Sequence, residues 1–203
     1  ENRDQNTGDH IRKTAAYVKI LLEELKREGI YTDQLTNKYI RNVVSSAPLH
    51  DVGKINVSDV ILNKPGKLTD EEFEIMKTHT TAGGKIISSL IDKVPDSDYL
   101  YEAKNLAMYH HEKWNGKGYP SGLAGEDIPL SARVMAVADV FDALISNRCY
   151  KKGFPYEKAF GIIREERGRQ FDPKIVDAFF AAEDQILEVA DKFSEKEKQE
   201  TSV

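Results

Sequence analysis

Thr36-Asn37-Lys38-Tyr39-Ile40-Arg41-Asn42-Val43-Val44-Ser45-Ser46-Ala47-Pro48-Leu49-His50-Asp51-Val52-Gly53-Lys54 is the stretch that decides how the chain is read. Ile40, Val43, Val44 and Ala47 recur at spacings of three and four, the stripe of an amphipathic helix, and Thr36 stands where an N-cap is wanted. Pro48 bends or ends that helix just before two ligand-type side chains, His50 and Asp51. Neighbouring helical positions lie about 100° apart, so an imidazole and a carboxylate on them share one ion only from the helix's edge. Lys54 follows one turn beyond the histidine. Alone the pair is a weak signal, and its weight depends on the rest of the chain.

The same helical period extends in both directions, and strand-like alternation is nearly absent. Ile11, Ala15, Val18, Leu22 and Leu25 predict a first helix from about Asp9 to Glu28, with Gly29 as C-cap and His10 at its beginning. Ser58 to Leu62 reads as a short helix. Thr69-Asp70-Glu71-Glu72 is a capping box opening a helix through Phe73 and Met76 to about His79, which puts His79 at a helix end before Gly83-Gly84. A helix from about Ser97 delivers His110-His111. The glycine-rich segment Glu112 to Ile128 lacks periodicity and reads as a loop. Beyond Pro129, Leu130 to Ile145 is a strongly apolar helix carrying a conspicuous carboxylate, Asp139, which burial would make costly without a partner. Further helices are expected from Pro155 to about Arg167 and from the cap Asp172-Pro173 onward. The fold class expected is all-α, a compact helical domain of about seven or more helices.

Composition bounds the function. The chain has 203 residues, 40% hydrophobic and 31% charged, enough for one sizeable core, and residues 1–203 are read as a single domain. The polar start 1–9 and the charged tail 191–203 are expected as appendages of a module from a longer protein. A net charge of −5 argues against a surface built to bind a nucleic-acid polymer, while leaving room for a local basic pocket. The single cysteine, Cys149, excludes an internal disulfide framework and suits a reducing compartment. There is neither an apolar run of membrane-spanning length nor a secretory signal, so a cytoplasmic location and no membrane span are expected.

The five histidines, His10, His50, His79, His110 and His111, join Asp51 and Asp139 as seven donors of the kind that hold Zn, Mn or Fe. Any one histidine alone is more often a packing residue, and a His-His pair is often a surface accident. As a set they exceed one tetrahedral ion and suit two ions bridged by a carboxylate and a water, an arrangement fitted to phosphoryl chemistry.

These residues resemble a known family. His50-Asp51-Val52-Gly53-Lys54, His79, His110-His111-Glu112, Asn115-Gly116-Lys117-Gly118-Tyr119-Pro120 and Ala138-Asp139-Val140-Phe141-Asp142-Ala143-Leu144, in this order, are similar to the HD-GYP phosphodiesterases, a branch of the HD metal-hydrolase superfamily. The resemblance runs from about His10 to Asp172. It implies an all-helical HD-type domain around a metal centre, with iron or manganese, that hydrolyses cyclic di-GMP to pGpG or GMP in bacterial signalling. It also implies an N-terminal receiver or sensor domain in the full protein, and leaves a homodimer open. Carried onto this sequence, His10, His50, Asp51 and Asp139 would hold one metal. Asp51 as bridge would hold the second with His79, His110 and His111. Lys54 would reach the bridging water or a phosphate oxygen, making Lys54 and Asp51 the catalytic pair. Tyr119, flanked by Gly118 and Pro120, would lie against a guanine, and Arg148 and Lys151 would contact phosphate and guanine.

Two departures stand out. Family members with three metals carry a glutamate four residues before the first histidine, whereas here Asn6 occupies that place, so two divalent ions are expected rather than three. Cys149 replaces a proline common in the Arg148 to Lys151 segment without removing a ligand. Alternatives within the same chemistry are hydrolysis of another cyclic or linear nucleotide, such as cyclic GMP-AMP, or a non-catalytic module sensing a cyclic dinucleotide.

Overall fold

The structure is a computed structural model and describes residues 7–147 and 152–200. Among these, nine α-helices and no strand are found: α1 (Thr7–Arg27), α2 (Asn37–Ser46), α3 (Asp59–Leu62), α4 (Asp70–Ile91), α5 (Asp98–Tyr109), α6 (Leu130–Ile145), α7 (Tyr156–Glu165), α8 (Pro173–Ala181) and α9 (Glu183–Glu200). The all-α expectation holds. No described helix is long and apolar enough to cross a membrane.

The boundaries follow from local chemistry. Thr36 accepts the Tyr39 amide to cap α2, and Ser97 accepts the Leu100 amide to cap α5. Thr69 and Glu72 form the reciprocal capping box that starts α4. Asp172 caps α8, with Pro173 in its first turn. Gly29 ends α1 at a φ of +72°, a conformation glycine adopts without a Cβ penalty.

One core holds α1, α2, α6, α7, α8 and α9 together. Tyr17, Val18, Leu21, Leu22 and Leu25 of α1 are buried in it, as are Phe141, Phe160 and Phe179. Phe141 lies edge-on to Tyr17 at 5.4 Å and stacks on Phe160 at 5.7 Å. Burying a phenylalanine of this kind contributes about 1.5–3 kcal/mol relative to exposure. Helix α6 is buried along nearly its whole length, from Leu130 through Ala138, which accounts for its apolar sequence. A smaller cluster of Ile87, Ile91 and Ala103, joined by Leu49, Val52 and Leu100, ties α4 and α5 to the segment after α2.

Two expectations are corrected. Helix α4 does not stop near His79 but runs on through Gly83-Gly84 to Ile91, so His79 lies inside a helix. The glycines are there for packing. A Cβ on Gly83 would meet Ala107 at 3.1 Å, and one on Gly84 would meet the Met108 sulfur at 3.1 Å. Helix α9 continues to Glu200, Ala190 is buried and Asp191 accepts the Tyr156 hydroxyl. The last two helices are also separate, with a break at Ala182.

Candidate metal centre

After α2, Pro48 converts the chain to a 3-10 turn, Ala47–Leu49, and a second one, Val52–Asn56, follows Asp51. His50 and Asp51 thus stand at the joint between two tight turns rather than on a continuing helix. Gly53 lets this joint sit directly on α4, because a methyl group there would overlap the His79 carbonyl and the Gly83 amide. That close approach brings the His50-Asp51 pair to His79. Helix α5 ends at Tyr109 and presents His110 and His111 just past its last turn. Helices α1 and α6 add His10 and Asp139 from the other side.

Two groups of donors result. The ligand atoms of His79, His110 and His111 lie within 4.8 Å of one another, and so do those of His10, His50 and Asp139. Asp51 stands between the groups. Its Oδ1 is 3.5 Å from His79 Nε2 and 3.8 Å from His110 Nε2, while its Oδ2 is 3.4 Å from His50 Nε2. Asp139 Oδ1 lies 3.5 Å from His10 Nε2 and 3.9 Å from His50 Nε2. All seven donors singled out in the sequence are gathered within this one cluster.

The imidazoles are oriented for ligation. His50, His79 and His110 donate their Nδ1 hydrogens to the carbonyls of Ala47, Met76 and Leu106 at 2.8, 2.6 and 2.8 Å. This fixes the tautomer and leaves a lone pair on each Nε2. Those three Nε2 atoms are buried and have no hydrogen-bond partner. Buried polar atoms are ordinarily satisfied, so three converging on one carboxylate fit a divalent cation.

The electrostatics agree with the geometry. Burial lowers His110 to about 4, helped by the neighbouring charge of His50. Burial also lowers His79 and His111, the latter well below the usual imidazole range. Burial pulls His50 the same way, but Asp51 and Asp139 reverse it and push it up to about 9. Desolvation raises Asp51, yet the charges of His50 and Lys54 outweigh it and hold its carboxyl well below the carboxylate range. The neutral imidazoles of His79, His110 and His111 beside the ionised Asp51 form a donor set for divalent metal.

The HD domain family model matches residues 5–175, a span that holds every one of these donors. The chain belongs to the HD-domain family. As an HD domain it is 49% identical over 195 residues to a cyclic di-GMP phosphodiesterase of Vibrio cholerae serotype O1, covering 96% of this chain and 40% of that protein. It is 36% identical over 189 residues to a 3'3'-cGAMP-specific phosphodiesterase of the same organism, covering 93% of this chain and 34% of that protein. The chain therefore spans less than half the length of these curated relatives. A solved cyclic GMP-AMP specific phosphodiesterase of V. cholerae shares the fold, with a TM-score of 0.61 at 19% identity, covering 88% of this chain and 45% of that one.

The remaining expected site residues fall as follows in this HD domain. Lys54 Nζ pairs with Asp51 Oδ2 at 2.6 Å. Tyr119 is half-buried, with its ring stacked on His111 at 4.9 Å, T-shaped to Phe73 at 6.3 Å and with Lys77 Nζ over it at 5.6 Å. Gly118 has no room for a side chain, since a Cβ would lie 2.5 Å from Glu112 Cα. Pro120 follows in the same half-buried loop. Arg148 and Lys151, with Cys149, lie outside the described residues, as does Asn6.

Sequence reasoning missed three polar residues around the HD centre. Asp139 is only partly buried, with a side chain 20% exposed; the fully buried carboxylate of α6 is Asp142, one turn later. Asp142 Oδ2 accepts from His10 Nδ1 at 2.7 Å, and Asp142 Oδ1 faces Lys13 Nζ at 3.0 Å. The available signal was a second carboxylate at i+3 in an apolar helix. Glu112 is also buried, and its two oxygens accept the amides of Ser121 at 2.7 Å and Leu123 at 3.1 Å, which shapes the Tyr119 loop. Trp114 tethers the same loop to the segment before α8 by donating its amide to the Gln170 carbonyl.

Proposed function

We propose that this chain is the catalytic HD-GYP module of a metal-dependent phosphodiesterase that hydrolyses cyclic di-GMP to pGpG or GMP. The observation that carries the reading is the set of three buried, unpartnered imidazole Nε2 atoms converging on Asp51, beside the triad of His10, His50 and Asp139. His79, His110 and His111 would hold one divalent ion and His10, His50 and Asp139 the other, with Asp51 shared; iron and manganese suit this nitrogen and oxygen set. Such a pair of ions supplies an activated water and charge stabilisation for in-line displacement at phosphorus. Asn6 in place of a glutamate argues against a third ion.

The chain's own groups have distinct tasks. Asp51 orients both halves of the centre. Lys54, held on Asp51, places a positive charge where charge develops on a phosphate oxygen. Tyr119 would lie against a guanine, with Gly118 and Pro120 shaping its approach, and Arg148 and Lys151 would contribute phosphate and guanine contacts. In the full protein an N-terminal receiver or sensor domain would regulate this module.

Cyclic di-GMP is favoured by the 49% identity to a protein named for that substrate. The second reading, cyclic GMP-AMP, rests on the 36% identical relative named for it. Product analysis of anaerobically purified, iron- or manganese-loaded protein on both cyclic dinucleotides and on linear nucleotides distinguishes them. Faster turnover of cyclic di-GMP is expected; preference for cyclic GMP-AMP installs the second reading, and binding without turnover would make the chain a sensing module.

A further inference from the structure

Three of the site histidines take their Nδ1 partner from a nearby backbone carbonyl, but His10 does not. It donates to a side chain on another helix, Asp142 of α6, at 2.7 Å. That carboxylate is itself held from a third direction. Lys13, one turn after His10 on α1, is 6% exposed, an unusual place for an ammonium. Its Nζ lies 3.0 Å from Asp142 Oδ1 and donates to Ser146 Oγ at 2.9 Å, and the Ser146 hydroxyl in turn donates to Asp142 Oδ2 at 3.3 Å. A buried charge is tolerated where a partner and hydrogen bonds compensate it, and here Lys13 and Asp142 compensate each other. The metal centre itself uses neither.

We propose that Lys13 and Asp142 are positioning residues that hold His10 as a metal ligand, and that they act on one ion of the pair and not on the other. The inference rests on the two-ion reading above. Asp142 fixes the His10 ring so that its Nε2 faces Asp139, and Lys13 with Ser146 fixes the carboxylate rotamer that makes this possible. His79 and His110 instead have their rings set by the carbonyls of Met76 in α4 and Leu106 in α5. The consequence is an asymmetric centre: two imidazoles of the His79, His110 and His111 triad are set by local backbone, while His10 in the other triad depends on the registry of α1 against α6.

The test is a manganese titration by calorimetry with electron paramagnetic resonance on wild type, Asp142→Asn, Lys13→Met and Lys13→Arg. Wild type is expected to bind two ions and give a spin-coupled signal. Asp142→Asn and Lys13→Met are expected to weaken one ion by about 10- to 100-fold, leave the other within about twofold and replace the coupled signal by that of isolated manganese. Lys13→Arg should restore coupling. A merely structural role would lower the melting midpoint and weaken both ions together or neither, and either result overturns the proposal. Wild type binding a single ion would overturn the two-ion reading along with it; two ions in wild type with unchanged variants would overturn the positioning role alone.

Discussion

Gly53 rests so closely on the carbonyl of His79 that no side chain can stand between them. This contact is where the turn bearing His50 and Asp51 meets the helix bearing His79. The two halves of the centre are therefore joined by backbone proximity, before any ion contributes.

Gly53→Ala should push the turn away from α4. Overpacking of this kind costs about 1–3 kcal/mol, and here it also separates Asp51 from His79. A lower melting midpoint together with reduced metal content is expected. Thermal unfolding and elemental analysis on the same sample check it; a stable variant with full metal content would show that the contact is not what sets the spacing.

Removal of metal should destabilise the fold, because the ions bind the folded arrangement of helices and not the unfolded chain. A ligand at a hundredfold its dissociation constant stabilises by about 2.7 kcal/mol. Chelated protein is expected to melt lower and to recover on addition of manganese, followed by circular dichroism. An unchanged midpoint would contradict a centre assembled from four helices and a turn.

Glu112 holds the Tyr119 loop through the amides of Ser121 and Leu123. Ser121 is exposed and Leu123 partly buried, so replacing Glu112 with alanine should cost only about 0.5–1.5 kcal/mol per lost hydrogen bond. Faster hydrogen exchange at Ser121 and Leu123 is expected, with a raised KM and a smaller effect on metal content. Unaltered exchange at those amides would remove Glu112 from this role.

Earlier on α6 than Asp139, Arg133 pairs with Asp172 at 2.6 Å in a buried setting, shares that carboxylate with the Tyr31 hydroxyl and donates its Nε hydrogen to the Ile128 carbonyl. Asp172→Ala should cost about 3–5 kcal/mol, because it leaves a buried guanidinium unpaired. Tyr31→Phe removes the hydroxyl that donates to Asp172 at 2.7 Å and accepts from Arg133 at 2.9 Å, and should cost about 1–3 kcal/mol while leaving the ion pair in place. Denaturant unfolding of both variants measures the difference.

Much of this was legible in the sequence. The helical stripes, the Thr36 and Asp172 caps, the Thr69 capping box and the seven donors all rest on local patterns, and the donors meet in space. What stayed hidden depended on distant partners. Gly83-Gly84 reads equally as close packing or a bend until the approach of Gly53, Ala107 and Met108 is known. Lys13 reads as a surface cation, and Asp142 as one more residue of an apolar helix, because neither pattern reveals that the two meet across α1 and α6.

The most direct measurement is metal content and cyclic di-GMP turnover of Asp51→Ala beside wild type, both purified anaerobically. Asp51 faces both histidine groups, with Oδ1 toward His79 and His110 and Oδ2 toward His50. Loss of bound metal from both positions and loss of turnover are expected. An Asp51→Ala protein that keeps its metal and hydrolyses cyclic di-GMP at the wild-type rate would contradict the account.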